Sequence, residues 1–315
     1  MQKLSIIIAS FNRCKSIKDT LDSILKQQSD GNFDYECIVV DNNSKDSTKE
    51  ILESCIPKFN GKLKYLFESR QGKSFALNLA IKEAKGEIII FTDDDVIVDK
   101  SWLNNFFLTF EKNNCDAVCG RIMPLFNGFT PNWVKKNIDL LYGAPGPIII
   151  YDYGIDTYKY NRNKMMPFFG GNMAFKKELF NSCGYFRTDL GPGSGTSGKE
   201  GEEIEFLKRV EKNSDNLYYC GNALVWHKVD NKRTSLRFIT KCWIDCGKCA
   251  VARECNNNLD RVTFCFGFPR YLIREIIEDS ISLIFVIFSM RKILKKWRKI
   301  CWNIGKIIGY RKFHK

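Results

Sequence analysis

The chain has 315 residues and is 44% hydrophobic, enough to bury a full core in one large or two modest domains, so disorder is excluded. Lys and Arg outnumber Asp and Glu by 49 to 36, for a formal net charge of +13. Thirteen cysteines in a chain this long do not read as a short secreted disulfide scaffold. Met1-Gln2-Lys3-Leu4 runs directly into a strand-like segment with no secretory signal, so reduced cytosolic thiols are expected.

In chain order, the first half alternates strand and helix. Leu4 to Ser10 reads as a buried strand, and Ile17, Leu21, Ile24 and Leu25 mark a helix face. Cys37 to Val40 is a second strand, followed by a helix carrying Ile51 and Leu52. Leu63 to Phe67 is a third, followed by a helix with Ala76, Leu77, Ala80, Ile81 and Ala84. Glu87 to Thr92 is a fourth strand, Trp102 to Phe110 a helix, and Asp116 to Gly120 a short fifth strand. Apolar strands alternating with amphipathic helices imply a parallel sheet covered on both faces.

Beyond residue 120 the alternation fades. Residues 125–165 are rich in Pro, Gly and aromatics and read as irregular. Gly170-Gly171-Asn172 leads into a short strand and helix, and Gly191 to Gly201 reads as a flexible substrate lid ahead of a helix starting at Glu202. Residues 217–226 form a further strand, with helices from about residue 235.

The positive excess concentrates at the end: residues 291–315 hold ten Lys or Arg and no Asp or Glu. Ile293, Leu294, Trp297, Ile300, Cys301, Ile304, Ile307 and Ile308 recur as one helical stripe, opposite Lys292, Lys295, Lys296, Arg298, Lys299 and Lys306. Two readings stand: a helix lying in an anionic lipid headgroup region, or a terminal helix packed on its own domain. The apolar run Ile281 to Met290 is too short to span a bilayer, and Glu278 with Asp279 interrupts it. No aromatic-basic platform points to nucleic acid.

In a doubly wound sheet, ligands bind outside the carboxyl ends of the strands. The polar groups expected there are Ser10-Phe11-Asn12-Arg13, Asp41-Asn42-Asn43-Ser44, Glu68-Ser69-Arg70 and Asp93-Asp94-Asp95. Three adjacent carboxylates raise one another's pKa unless something positive sits among them. An acidic solvated turn and a cation site both fit that triplet, and its place on the rim favours the site.

Seven stretches resemble, in order, the family-two glycosyltransferases with the GT-A fold. They are SIIIASFNR at 5–13, VVDNNSKD at 39–46, GKSFALNLA at 72–80, GEIIIFTDDD at 86–95, GGNMAF at 170–175, GEEIEF at 201–206 and VWHKVDNKRTS at 225–235. The resemblance implies an α/β architecture, a Rossmann-like mixed sheet flanked by helices. It divides the chain into a GT-A domain at 1–235, with a nucleotide-binding half at 1–120 and an acceptor-binding half at 121–235. The remainder, 236–315, is a helical extension.

The resemblance also implies site roles. Asp93 and Asp95, with Asp94 between them, match an Asp-x-Asp motif that holds Mn²⁺ or Mg²⁺ against the donor diphosphate. His227 matches a histidine that approaches the metal or diphosphate, and Arg233 beyond it suits phosphate oxygens. Asp41 matches a nucleoside contact, while Ala9, Phe11 and Arg13 match the first nucleotide-binding segment. Many relatives have Arg before the asparagine of the third motif; here Leu77 precedes Asn78, which passes that role to Arg70 or Lys73. Glu203 stands at the general-base position, where Asp is usual, with Glu202 as the alternative.

The activity implied by this resemblance is metal-dependent, inverting transfer from a nucleotide-diphosphate sugar, UDP-sugar foremost. The acceptor would be a glycan or a lipid-linked molecule in cell-surface polysaccharide synthesis. The expected location is peripheral, on the cytoplasmic face of the cell membrane. Three rival readings stand beside it. Asp93 to Ile97 nearly reproduces a haloacid-dehalogenase phosphatase motif, Cys242, Cys246 and Cys249 have an iron–sulfur spacing, and a membrane adaptor could keep the fold without the chemistry.

Overall fold

The computed structural model describes residues 2–28, 31–126, 128–141, 147–193, 201–254 and 263–313, and these form two compact units. The first holds residues 1–123 and 151–228; the second holds 124–150 and 229–315. The division therefore falls near 228 rather than 235, and the segment expected to be irregular is shared between the units.

The first unit begins with β1 (Gln2–Ser10), α1 (Ile17–Ile24), β2 (Phe33–Asp41), α2 (Thr48–Cys55), β3 (Leu63–Phe67), α3 (Lys73–Glu83) and β4 (Ile88–Thr92). The strands run parallel in the order β3-β2-β1-β4. β1 is central, and Leu4, Ile6, Ile7 and Ile8 are fully buried, as expected of a strand covered on both faces. α1 buries Ile17, Leu21 and Ile24, whereas Leu25 caps the helix and stays exposed. α3 buries Ala76, Leu77, Ala80 and Ile81.

After β4 come β5 (Val96–Val98), α4 (Trp102–Asn113) and β6 (Ala117–Phe126). Next are α5 (Asn132–Lys136), α6 (Ile138–Leu141), β7 (Thr157–Lys159), β8 (Asn172–Lys176), α7 (Glu178–Ser182), α8 (Glu202–Asn213) and β9 (Leu217–Val229). The sheet continues antiparallel: β8 lies between β4 and β6, β9 follows β6, and β5 and β7 pair with β9. The expected fifth strand, β6, runs in the sense of β4 but pairs antiparallel with the intervening β8, so the sheet is mixed. Asn172 locks this half. Its side chain accepts from Trp102 Nε1 at 2.8 Å and donates to the carbonyls of Arg121 and Ala223 at 2.8 and 2.7 Å.

Below β4 and β8, Phe91, Phe175, Phe180, Phe186 and Phe206 form one aromatic cluster, with Phe180 and Phe206 stacked at 4.7 Å. Phe206 lies in the first turns of α8, so the cluster anchors the start of that helix. Truncating such a ring costs about 3–5 kcal/mol.

The second unit contains α5, α6, α9 (Leu236–Glu254), the hairpin of β10 (Phe264–Cys265) and β11 (Phe268–Pro269), α10 (Arg270–Ile284) and α11 (Met290–Phe313). Its core joins Val134, Leu140, Leu141 and Ile148 to Val229, Ile239, Trp243, Leu294 and Cys301. That burial places 124–150 in this unit. α9 and α11 touch backbone to backbone: a Cβ on Gly305 would lie 2.1 Å from the Ile244 carbonyl oxygen, and one on Gly247 2.1 Å from that of Trp302. The apolar stripe of α11 is mostly inward: Leu294 and Cys301 belong to this core with Trp297 packed against it, Ile300 is buried, Ile307 packs on a second cluster of Val251, Phe268, Leu272 and Tyr310, and Ile308 is exposed. The packed reading of the terminal helix thus describes where its stripe lies. No helix among the described residues is long and apolar enough to cross a membrane.

Candidate active site

β4 ends at Thr92, and the chain turns through Asp93, Asp94 and Asp95 before the short β5 begins. β5 pairs antiparallel with β9 so that Val96 faces His227, and the Lys228 N–H donates to the Asp95 carbonyl at 3.0 Å. This pairing brings His227 Nε2 to 3.3 Å from Asp95 Oδ1. One ligand atom each from Asp93, Asp95 and His227 lie within 4.8 Å of one another, the only such cluster among the described residues. Two carboxylate oxygens and an imidazole nitrogen form a donor set that suits Mn²⁺, while an all-oxygen set is the usual choice for Mg²⁺. The residues present therefore fit a divalent ion.

Cations already stand among these acids. Lys73 Nζ, at the first residue of α3, lies 2.8 Å from Asp93 Oδ1. Arg13 Nε lies 3.2 Å from Asp94 Oδ1, and its terminal nitrogen 3.6 Å from Asp95 Oδ2. Burial works to raise the Asp93 pKa, but Lys73, His227 and Arg13 outweigh it and hold the carboxyl below its ordinary value. Asp94 goes the other way: burial, with Asp95 and Asp93 adding to it against Arg13, pushes its carboxyl up to about 7.

On the other side of Lys73, α8 presents Glu202 and Glu203 in its first turn, held there by Phe206. Glu202 Oε2 and Glu203 Oε2 are buried with no hydrogen-bond partner among the described residues. Burial, reinforced by Glu202, raises the Glu203 pKa well above the ordinary carboxylate range, while Lys73 opposes the shift. Burial would lower the Lys73 pKa, but Asp93, Glu202 and Glu203 reverse this and raise it. Gly170 and Gly171 border both groups. A Cβ on Gly171 would lie 2.7 Å from Asp93 Oδ2, and one on Gly170 would lie 3.5 Å from Lys73 Nζ and 4.0 Å from Glu203 Oε1.

Asp41 is buried at the end of β2, accepting from the Ser44 N–H at 3.0 Å and the Tyr65 hydroxyl at 3.4 Å. Asn42, one of the rim residues to which the sequence assigns no role, pins the next loop. Its amide donates to the Glu68 and Arg70 carbonyls at 3.2 and 2.7 Å, and its oxygen accepts from the Gly72 N–H at 2.8 Å. Arg70 grips Glu68 with both arms of its fork, at 2.9 and 2.7 Å, and stacks over Phe75. Ala9 lies on β1 beside Val40, and Phe11 is 43% exposed just beyond the strand. Arg233 belongs to the second unit, in a turn closed by its N–H on Asp230. Of the expected lid, residues 194–200 lie outside the described residues; Gly191 meets Glu202, and the Lys73 N–H donates to the Pro192 carbonyl at 3.0 Å.

The iron–sulfur reading needs a loop, whereas Cys242 and Cys246 lie one turn apart on α9, and the Cys249 side chain is outside the described residues. The phosphatase reading fails too: its nucleophile belongs on a first strand, and this triplet closes the fourth.

Comparison with solved structures identifies the fold as that of the GT-A glycosyltransferases. The mannosyltransferase PcManGT from Pyrobaculum calidifontis, in complex with GDP-Man and Mn²⁺, matches with a TM-score of 0.62 and 17% identity over 99% of this chain and 87% of its own. Staphylococcus aureus TarS 1–349 with UDP-GlcNAc matches with a TM-score of 0.55 and 17% identity, over 99% and 92%. The chain belongs to glycosyl transferase family 2, whose family model matches residues 5–184.

Among curated relatives, poly(ribitol-phosphate) beta-N-acetylglucosaminyltransferase TarS of S. aureus strain Mu50 is 30% identical over 151 residues. That match takes in 45% of this chain and 26% of TarS, so the chain spans about a quarter of that relative's length. Glucosyl-dolichyl phosphate glucuronosyltransferase of Haloferax volcanii is 21% identical over 245 residues, covering 75% of this chain and 72% of its own.

Proposed function

We propose that the chain is a metal-dependent, inverting glycosyltransferase. It moves a sugar from a nucleotide-diphosphate sugar, UDP-sugar foremost, to a hydroxyl of a glycan or lipid-linked acceptor. Its setting in this reading is cell-surface polysaccharide synthesis at the cytoplasmic face of the membrane. The observation that carries the reading is the placement of Lys73: its ammonium bonds Asp93 of the Asp93–Asp95–His227 cluster and neighbours the glutamates opening α8. In this reading Lys73 stands between groups suited to a diphosphate and a group suited to a proton. The names of two relatives add support, since one acts on poly(ribitol-phosphate) and the other on glucosyl-dolichyl phosphate.

In this reading Asp93, Asp95 and His227 hold Mn²⁺ or Mg²⁺, with Asp94 behind them on Arg13. Such an ion, when bound, supplies charge neutralisation for a departing diphosphate. Glu203 takes the proton of the acceptor hydroxyl as that oxygen attacks the anomeric carbon from the far side. The bond from that carbon to the diphosphate oxygen breaks, its electron pair leaves with the nucleotide, and the configuration inverts. Asp41 accepts from the nucleoside, with Ala9 and Phe11 beside it. Arg70 already has its fork filled by Glu68, so Lys73 is the better cation for the phosphate side. Arg233 remains a candidate for phosphate oxygens.

A thermal-stabilisation screen of nucleotide sugars with and without Mn²⁺ tests this. Stabilisation that requires both components supports the reading; a panel in which no nucleotide sugar acts with the ion refutes it.

A further inference from the structure

α10 has two unlike faces. Leu272 and Asp279 are buried, with Ile276 and Leu283 half-buried on the same side. The other side exposes Ile273, Ile277, Ile281 and Ile284, and the stripe continues through the following turn as Phe285, Ile287, Phe288 and Met290. Phe285 is 80% exposed and Phe288 97%, so these rings gain nothing from their own fold. Spacings of four, four and three put Ile273, Ile277, Ile281 and Ile284 on one face of α10, and the turn that follows carries the exposed apolar surface on. From Ser280 to Met290 there is no charged residue. A water-facing surface rarely keeps such a strip without a partner.

The charges around the strip indicate which partner. Each acid of α10 is already engaged: Glu278 with Arg274 at 2.7 Å, Asp279 with Lys296 at 2.7 Å and Lys299 at 3.2 Å, and Glu275 with Asn303 at 2.9 Å. α11 then opens with Arg291, whose fork is taken by Asp139 at 2.8 and 2.5 Å, and with Lys292 and Lys295, both exposed, in a segment without acids of its own. Aromatic and aliphatic side chains bordered by cations match the boundary between headgroups and acyl chains. The run is too short to cross.

We propose that the outer face of α10 and the turn 285–290 dock in the surface of an anionic phospholipid bilayer, with Lys292 and Lys295 against the headgroups. The expected lipid contact thereby moves from the α11 stripe, which lies mostly inward, to its neighbour. The surface is argued from the second unit alone, so it stands or falls apart from the sugar-transfer reading.

Sedimentation of the full chain with vesicles of phosphatidylcholine mixed with phosphatidylglycerol, against phosphatidylcholine alone, is the test. Wild type should sediment with the mixed vesicles and release as salt rises. Phe285→Ser with Phe288→Ser should cut the bound fraction about 10-fold or more. Lys292→Gln with Lys295→Gln should lose about 10-fold on anionic vesicles only. Circular dichroism and nucleotide binding, read on each variant, verify folding. The proposal is overturned if wild type stays in the supernatant or if the Phe pair sediments unchanged. A dimer in light scattering that Phe288→Ser splits would also overturn it, by making this face a contact between copies.

Discussion

Lys73 Nζ lies 2.8 Å from Asp93 Oδ1, and the same ammonium is drawn on by Glu202 and Glu203 at the head of α8. One cation on α3 therefore links the acids at the end of β4 to those of α8. Lys73→Met leaves Asp93 without its nearest cation and should cost about 2 kcal/mol of stability, the scale of a hydrogen bond to a charged group. Mn²⁺ should then raise the melting temperature more in the variant than in wild type, because the ion replaces the missing charge. An equal or smaller rise would separate Lys73 from the metal cluster.

In the proposed reading Glu203 is the base and sets the pH response. Its pKa is raised by burial and by Glu202, so the deprotonated base appears only above the ordinary carboxylate range. Transfer should rise with pH along a limb displaced upward from that of a solvated glutamate. The same shift has a stability sign. A group whose folded pKa exceeds its unfolded one favours folding at low pH and loses that contribution as pH climbs through the folded value. At neutral pH, Glu203→Gln should therefore melt higher than wild type while transfer falls by about 10²-fold or more. A lower melting temperature would show the carboxylate to be a structural partner instead.

Gly171 is a packing requirement of the acidic turn. A methyl group there would press to 2.7 Å from Asp93 Oδ2, so the carboxylate must shift. Gly171→Ala should weaken Mn²⁺-dependent nucleotide binding about 10-fold with the fold intact by circular dichroism. Unchanged titrations would mean that Asp93 does not need its present position.

In the second unit, Gly305→Leu should be severe. Its side chain would meet the Ile244 carbonyl, a backbone atom that cannot swing aside, so a cost at or above about 3 kcal/mol is expected. Melting and limited proteolysis report it directly. A variant as stable as wild type would refute the close crossing of α9 and α11.

Much of this was legible from the sequence because the signals were long. The apolar strands β1, β2 and β4 and the stripes of α1 and α3 repeat over enough residues to fix both element and face. The cluster of Asp93, Asp95 and His227 was legible only through family resemblance, since what joins its members is β5, a strand of 3 residues with no readable period. α5 and α6, at 5 and 4 residues, escape notice for the same reason. Asn42 and Asn172 act through backbone carbonyls distant in sequence, which no local pattern encodes. The α11 stripe was visible, but a stripe does not say whether it meets lipid or α9. Gly247 and Gly305, one on each helix, carried that answer.

Isothermal calorimetry of UDP binding in Mn²⁺, on Asp95→Ala and Glu203→Gln side by side, probes the proposed division between metal-holding acids and base most directly. Asp95→Ala should lose the metal-dependent binding, whereas Glu203→Gln should bind UDP as wild type does and yet transfer sugar more slowly by about 10²-fold or more. Equal loss of binding in both variants, or full binding in Asp95→Ala, would contradict the account.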